Sequence, residues 1–551
     1  MAERTSPRYR KAWMAASLAA GLLSVTACST STGPAEIEVE LTDRAPSAAE
    51  AVPEITWNLP DGEPTTLDPR DSATYSGATV VANLCDPLLA IDEDYTLHPN
   101  LVSFEAPDPL TLVYTIEAEA TFWDGQPVTA DDIVYSLDRA ADPAATTSFL
   151  FASVAEVEKT DDVTVTVRFA QPDAMFNAQM ATFAGAVVER SFAETAGASF
   201  GTAAGGIMCS GPYMLDEWRS GSDITIERNP DYWNEDLPLL VDRAKFTFIT
   251  DSTAATQALS TGEIDGAYRI DPSAVPTLST ASNGQLYFGP SMESLQLYVA
   301  RADGPLADVA LRDALQKAVD REVLASTVYS GAAAPLYTTV TPRTWPTAQR
   351  ELYQNAYDKW ADARAFDPKA AKKLVAGSGY AGETLVLGVP TGQATISRVA
   401  QLVQQDAEAV GIQIEIKELQ PLDYTTAAYD AVVRERFGLD LMLGESFNAT
   451  AEPLEPLGFT LTEGAPYNYT QIADPELTSL LDQARAAVDP EDRARLVIEA
   501  QEIGEMTSAA IPLLSLHTTT FLNNRLGGAI TSFAYMSMPS VAYLGGTGDG
   551  K

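Results

Sequence analysis

From residue 55 onward, the spacing of apolar and polar positions switches repeatedly between a two-residue period and a helical one. Positions 111–118 and 163–169 alternate apolar with polar residues, as half-buried strands do. Between them a helix is predicted to begin after Thr129, whose hydroxyl can cap the first free amides while Asp132, in the third helical position, reaches back. The clearest unit comes later. Positions 384–389 read as a buried strand, 394–409 as an amphipathic helix with Ile396, Val399, Ala400 and Val403 on its apolar face, Gly411 as the helix stop, and 412–419 as a second strand. Two strands joined through a helix in so short a stretch form a βαβ unit, with parallel strands and a right-handed crossover. Asp367-Pro368 and Asp489-Pro490 each place a capping carboxylate before a proline at the first helical position. Positions 306–329 hold one helix ending near Val319 and another starting at Asp320. No fixed-period repeat occurs, and the alternation predicts an α/β body.

The N-terminus follows other rules. Arg4, Arg8, Arg10 and Lys11, against the single acid Glu3, precede an uncharged stretch over 12–27 rich in Ala, Leu and Val, the layout of a signal peptide. The stretch is shorter than the roughly 20 apolar residues that span a bilayer. It ends in Val25-Thr26-Ala27-Cys28, which resembles a lipobox and marks Cys28 as the lipidated first residue of the mature chain. Residues 1–27 are thus read as a signal peptide and the product as extracytoplasmic, lipid-anchored to the cell membrane. Residues 28–54, acidic and broken by Pro and Gly, are expected to form a flexible tether. The body beyond them is several times the usual domain size, so more than one core is expected.

Charge and chemistry narrow the function. Formal net charge is −41, becoming −44 once the four cations and one acid of residues 1–27 are removed, a field that repels nucleic acid. Of three cysteines, Cys28 is taken by the anchor, and Cys85 and Cys209 remain as an even pair in an oxidising compartment. A disulfide and two buried free thiols are both open readings. His98 and His517 are the only histidines, far apart, so neither a metal cage nor a histidine-based triad is expected, and no cofactor is implied. Gly377-Ser378-Gly379-Tyr380-Ala381-Gly382 matches the dinucleotide fingerprint in letters, but a helix precedes it and a strand follows, the reverse of what pyrophosphate binding needs. Asp131-Asp132 and Asp161-Asp162 read as a helix start and a turn.

Several blocks carry a resemblance. Thr66-Leu67-Asp68-Pro69, Asn83-Leu84-Cys85-Asp86-Pro87-Leu88-Leu89, and the run from Phe122-Trp123-Asp124-Gly125 to Ile133-Val134-Tyr135-Ser136-Leu137 are similar to the extracellular solute-binding proteins of peptide and nickel ABC importers. Ser210-Gly211-Pro212-Tyr213, Asn229-Pro230-Asp231-Tyr232-Trp233, Leu259-Ser260-Thr261-Gly262-Glu263-Ile264-Asp265 and Leu311-Arg312-Asp313-Ala314-Leu315 through Val319-Asp320-Arg321 follow in order. The resemblance implies an α/β, two-lobed periplasmic-binding-protein-like cleft fold with a discontinuous first lobe and an extra domain. Lobe I is expected over 55–97, 208–294 and 512–551, the extra domain over 98–207, and lobe II over 295–511. It also implies hinge closure on a small ligand, an ABC permease and its ATPase as partners, and a monomer without enzymatic activity.

Peptide binders of this family carry an acid in the second lobe that pairs with a peptide amino terminus. The corresponding stretch here, 441–453, lacks the expected Asp and offers Glu445, Phe447 and Asn448 instead. A short peptide heads the list of ligands, a sugar or other neutral solute follows, and nickel falls behind for want of His. An exported hydrolase is the alternative from another class. Candidate cleft residues are Tyr75 and Ser76 in lobe I, Trp345 after the hinge crossing, and Tyr424, Phe437, Glu445, Phe447 and Asn448 in lobe II, since aromatic walls with a few convergent polar groups suit a ligand site.

Overall fold

Three larger sheets organise the residues that the computed structural model describes, 39–117 and 119–548. Residues 1–27, expected as a signal peptide, and the lipidation candidate Cys28 lie outside these residues. A seven-stranded sheet runs in the order Gly284–Gly289, Thr518–Asn523, Gly266–Tyr268, Ile55–Asn58, Arg243–Thr247, Asp223–Arg228, Tyr213–Arg219. Its central strand Ile55–Asn58 is parallel to both neighbours. This is lobe I. A six-stranded sheet, Ala333–Pro335, Ala510–Leu516, Glu293–Val299, Leu441–Phe447, Thr384–Pro390, Gln413–Leu419, forms lobe II. A four-stranded antiparallel sheet within residues 102–169 belongs to the extra domain, whose core draws in Leu88 and Leu89 ahead of position 98.

Local signals explain the elements. Helix Ala130–Ala141 starts on a reciprocal capping box: the Thr129 hydroxyl accepts from the Asp132 amide at 3.3 Å, and the Asp132 carboxylate accepts from the Thr129 amide at 3.1 Å. Helix Ala394–Val410 buries Ile396, Val399, Ala400 and Val403 and ends on Gly411, whose φ of 97° a side chain would strain. The flanking strands Thr384–Pro390 and Gln413–Leu419 are parallel neighbours. Asp367 and Asp489 cap helices Pro368–Gly377 and Pro490–Glu505. The glycine run at 377–382 closes the first of these helices and leads into strand Thr384–Pro390.

The family-like blocks meet as structural supports. Asp86 is buried and accepts from the Tyr232 hydroxyl at 2.8 Å, the Ser210 hydroxyl at 3.0 Å and the Trp233 indole at 3.1 Å. Three of the blocks therefore converge on one carboxylate. Trp123 donates to the Gly211 carbonyl at 3.3 Å, and Asp265 accepts from the Thr56 amide at 2.8 Å. Beside Asp86, Cys85 and Cys209 form a disulfide, S–S 1.98 Å, in the lobe I core. Backbones approach so closely there that a Cβ on Gly211 would lie 2.3 Å from the Leu84 carbonyl oxygen.

Burial pushes the Asp86 carboxyl up to about 6, against its three hydrogen bonds. The folded chain then holds this proton below about pH 6, the unfolded chain only below about 3.8. The folded state binds more protons in that window, so this group's contribution to stability rises as the pH falls from 7 towards 4. Asp86→Asn is expected to flatten the dependence of unfolding free energy on pH between 7 and 4.5. Denaturant titrations at both pH values check this, and an unchanged slope refutes the assignment.

Two boundaries differ from expectation. The return from lobe II falls at His517, not at 512, because the apolar strand Ala510–Leu516 pairs with both Glu293–Val299 and Ala333–Pro335. The outward crossing lies between Gly289 and Glu293. Of the stretch expected as tether, 28–54, the described part packs on lobe I. Leu41, Arg44, Glu50 and Val52 bridge Phe288, Ile530, Gly546 and Val241 of lobe I, and Ala45 is buried. Too poor in apolar residues to fold alone, this segment satisfies its backbone on the edges of a finished lobe. Among the described residues no helix is long and apolar enough to cross a membrane.

Candidate functional site

The two lobes meet along strand Leu441–Phe447 and the loop that follows it. Tyr75 opens helix Tyr75–Leu84, which Thr74 caps through the Gly77 amide at 3.1 Å. Its ring meets Phe447 of lobe II at 4.9 Å between centroids and Phe533 of lobe I at 6.2 Å. Over the same ring, 3.6 Å from its centroid, lies the guanidinium of Arg269.

Arg269 follows strand Gly266–Tyr268 with a φ of 51°, a left-handed conformation that turns the chain sharply between the lobes. Its guanidinium donates to Glu293 at the hinge crossing (2.8 Å) and to Glu445 of lobe II (2.7 Å), with Asp61 at 3.7 Å. Tyr329 donates to the other Glu445 oxygen at 3.2 Å. Burial raises the Glu445 carboxyl above its ordinary value, with Arg269 opposing. Three carboxylates thus surround one guanidinium, and two belong to different lobes. At the other hinge crossing, burial holds the His517 imidazole down to about 4, so the ring is neutral at physiological pH.

Beyond Phe447 the chain turns along a cavity of about 300 Å³. Tyr95 comes from lobe I, Asn177 and Thr182 from the extra domain, and Thr450, Glu452 and Arg493 from lobe II. The buried Glu455 carboxylate accepts from the Ala449 amide at 2.9 Å and the Thr450 amide at 3.0 Å, which fixes the cavity wall. Burial raises the Glu452 carboxyl, while Arg493 at 3.6 Å opposes. The extra domain closes on lobe II nearby. Asp173 pairs with Arg485 at 3.0 Å, and Phe149 meets Phe459 at 4.9 Å.

The eight candidates separate on this frame. Tyr75, Glu445 and Phe447 come together between the lobes. Asn448, 7% exposed, donates its backbone N–H to the Met292 carbonyl at 3.3 Å beside the crossing. Ser76 is buried and accepts from the Asp61 amide at 3.0 Å, so it positions the loop that carries Asp61. Tyr424 donates to the Leu443 carbonyl at 2.7 Å and braces strand Leu441–Phe447 where Gly444 leaves room.

Trp345 and Phe437 lie apart from this junction. Trp345 stacks on Tyr353 at 6.0 Å inside a helical core of lobe II, because its indole is better covered by those helices than by a wet cleft. Phe437 ends helix Ala431–Phe437, ahead of strand Leu441–Phe447, at the opposite end of that strand from Glu445 and Phe447. There it sits under Arg436 (4.6 Å) and near Lys417 (5.5 Å). Sequence reasoning passed over Arg269, Glu293, Asn177 and Arg493, whose roles depend on distant partners. Glu452 lay inside the quoted 441–453 stretch.

Comparison with known proteins agrees with this architecture. Residues 96–466, more than half the chain, match the model of bacterial extracellular solute-binding proteins, family 5 Middle. The glutathione-binding protein GsiB of Salmonella paratyphi A is 26% identical over 460 residues, covering 82% of this chain and 86% of that protein. Among solved structures, the ABC transporter substrate-binding protein CtaP of Listeria monocytogenes superposes with a TM-score of 0.77 at 22% identity, covering 90% of this chain and all of that one. DppA of Helicobacter pylori, in complex with the peptide STSA, gives 0.76 at 18% identity, covering 90% and 99%. The chain belongs to the bacterial extracellular solute-binding proteins of family 5 and is a substrate-binding component of an ABC importer.

Proposed function

We propose that this chain captures a short peptide between its lobes and delivers it to a membrane permease, held at the cell surface by a lipid on Cys28. The observation that carries the reading is the cavity of about 300 Å³ at the meeting of lobe I, the extra domain and lobe II. Its size is at the lower end of ligand pockets, which favours two or three residues over longer chains. Its walls mix small apolar residues with the Glu452–Arg493 pair, as a peptide with charged ends requires. GsiB, by name, binds glutathione, and the DppA structure holds a four-residue peptide, so ligands of this scale occur among similar proteins. The mechanism needs no covalent step. A ligand that touches both lobes binds the closed state more tightly than the open one and shifts the equilibrium by that difference.

A thermal-shift screen of the mature chain with Cys28→Ser, against di- to tetrapeptides, oligosaccharides and nickel, tests the reading. A ligand at one hundred times its dissociation constant is expected to stabilise the chain by about 2.7 kcal/mol. A response to oligosaccharides with none to peptides overturns it.

A further inference from the structure

Two neighbours in the chain, Met175 and Phe176, belong to different cores. Phe176 opens helix Phe176–Gln179 and packs inside the extra domain, its ring 5.6 Å from that of Phe151 and 5.2 Å from that of Phe169. Met175, only 1% exposed, is buried instead in the helical core of lobe II that holds Val340, Trp345, Tyr353 and Leu457, and every other buried residue of that core lies in lobe II. Successive side chains at a helix start point roughly 100° apart, which is how one short turn serves two bodies. The residues just before it are bonded across the same line. The Ala174 amide donates to the Arg485 carbonyl at 2.9 Å, and the Arg485 guanidinium donates to Asp173 at 3.0 Å. None of the Asp173 side chain is exposed, and it also accepts from the Ser153 hydroxyl at 2.6 Å and the Met175 amide at 3.0 Å. The extra domain thus holds this carboxylate in place for its cation on lobe II. Ala174, Asn177 and Ala178 then form one wall of the cavity, facing Ala449, Thr450 and Glu452 of lobe II.

We propose that residues 173–175 are a clasp by which the extra domain closes lobe II over the cavity. Met175 enters a socket among the lobe II helices and leaves it again, and an unbranched, flexible side chain suits such a plug. Each of these contacts is made by the chain with itself, so the clasp supplies part of the closing free energy before a solute supplies the rest. Because the cavity wall begins at Ala174, release of the plug uncovers the cavity on the side away from the hinge crossings. The inference rests on the reading of capture between the lobes and adds what holds them together ahead of capture.

Hydrogen exchange, resolved to single amides by mass spectrometry on the mature chain with Cys28→Ser, tests the clasp, with the Ala174 N–H as reporter because its acceptor lies on lobe II. In the parent it is expected to exchange at least a hundredfold faster than amides of the central strands Ile55–Asn58 and Thr384–Pro390, through an opening smaller than global unfolding. Met175→Ala, which empties the socket, should speed exchange at Ala174 at least tenfold and leave the central strands within twofold of the parent. Arg485→Met, on the other body, should speed Ala174 at least threefold. Exchange at Ala174 no faster than in the central strands marks a fixed interface and overturns the clasp. So does a Met175→Ala or Arg485→Met chain in which Ala174 keeps the parent rate, or in which the central strands speed up as much as Ala174 does. No ligand enters the measurement, so the clasp can fail while the thermal-shift screen still returns a peptide, and the reverse.

Discussion

Replacing Arg269 with methionine is expected to destabilise the chain by about 3–5 kcal/mol and to part the lobes, an effect of the size seen when one partner is removed from a buried ion pair. The magnitude follows from what is left behind. Glu293 has only 2% of its side chain exposed, and Glu445 27%, so neither can recover its hydration without the lobes separating. With the guanidinium gone, Glu293 and Glu445 of lobe II repel each other, and Asp61 of lobe I adds a third charge across the junction. The ring of Tyr75 also loses its cation, worth up to about 2 kcal/mol when desolvated. Urea unfolding measures the loss and small-angle scattering the separation. A variant within 1 kcal/mol of the parent with an unchanged radius of gyration contradicts the latch. Combining Arg269→Met with Glu445→Leu should recover part of the loss, since one carboxylate fewer is left without its cation beside Glu293.

Loss of the Cys85–Cys209 bond is expected to cost a similar amount by a different route. The cross-link spans 124 residues, and closing a loop of that length restricts the unfolded chain by about 5 kcal/mol on the entropic account. That is a third or more of the net stability of most proteins. The double variant Cys85→Ser/Cys209→Ser should therefore unfold at markedly lower urea, and the parent in reductant should follow it. If reductant and substitution each leave the midpoint in place, the bond carries no load.

Much of the framework was legible because its causes are local. Thr129 and Asp132 are three residues apart, Gly411 stops its own helix, and Asp367 and Asp489 cap the turns that follow them. The family-like blocks were equally visible, and Asp86 shows why such blocks can mark a fold and stay silent on the ligand: they are occupied with one another. The cleft was harder to read. Arg269 and Glu445 are 176 positions apart, and nothing near either forecasts the other. Trp345 looked like a platform because an aromatic in a helical core and one in a cleft have the same local signature. The return crossing was placed at 512 because a wholly apolar strand such as Ala510–Leu516 carries no mark of the sheet it joins.

The stitching of residues 41–52 along lobe I has a mechanical consequence. Any force on the chain's N-terminal side is shared among backbone pairs at Phe288, Ile530, Gly546 and Val241 before it reaches the rest of the molecule, and all four belong to the same lobe. Lobe I is therefore the frame and lobe II the leaf of the door, hung on the crossings at 289–293 and 516–518. A surface that grips the N-terminus fixes the frame in place, and opening or shutting is then travel of the leaf alone.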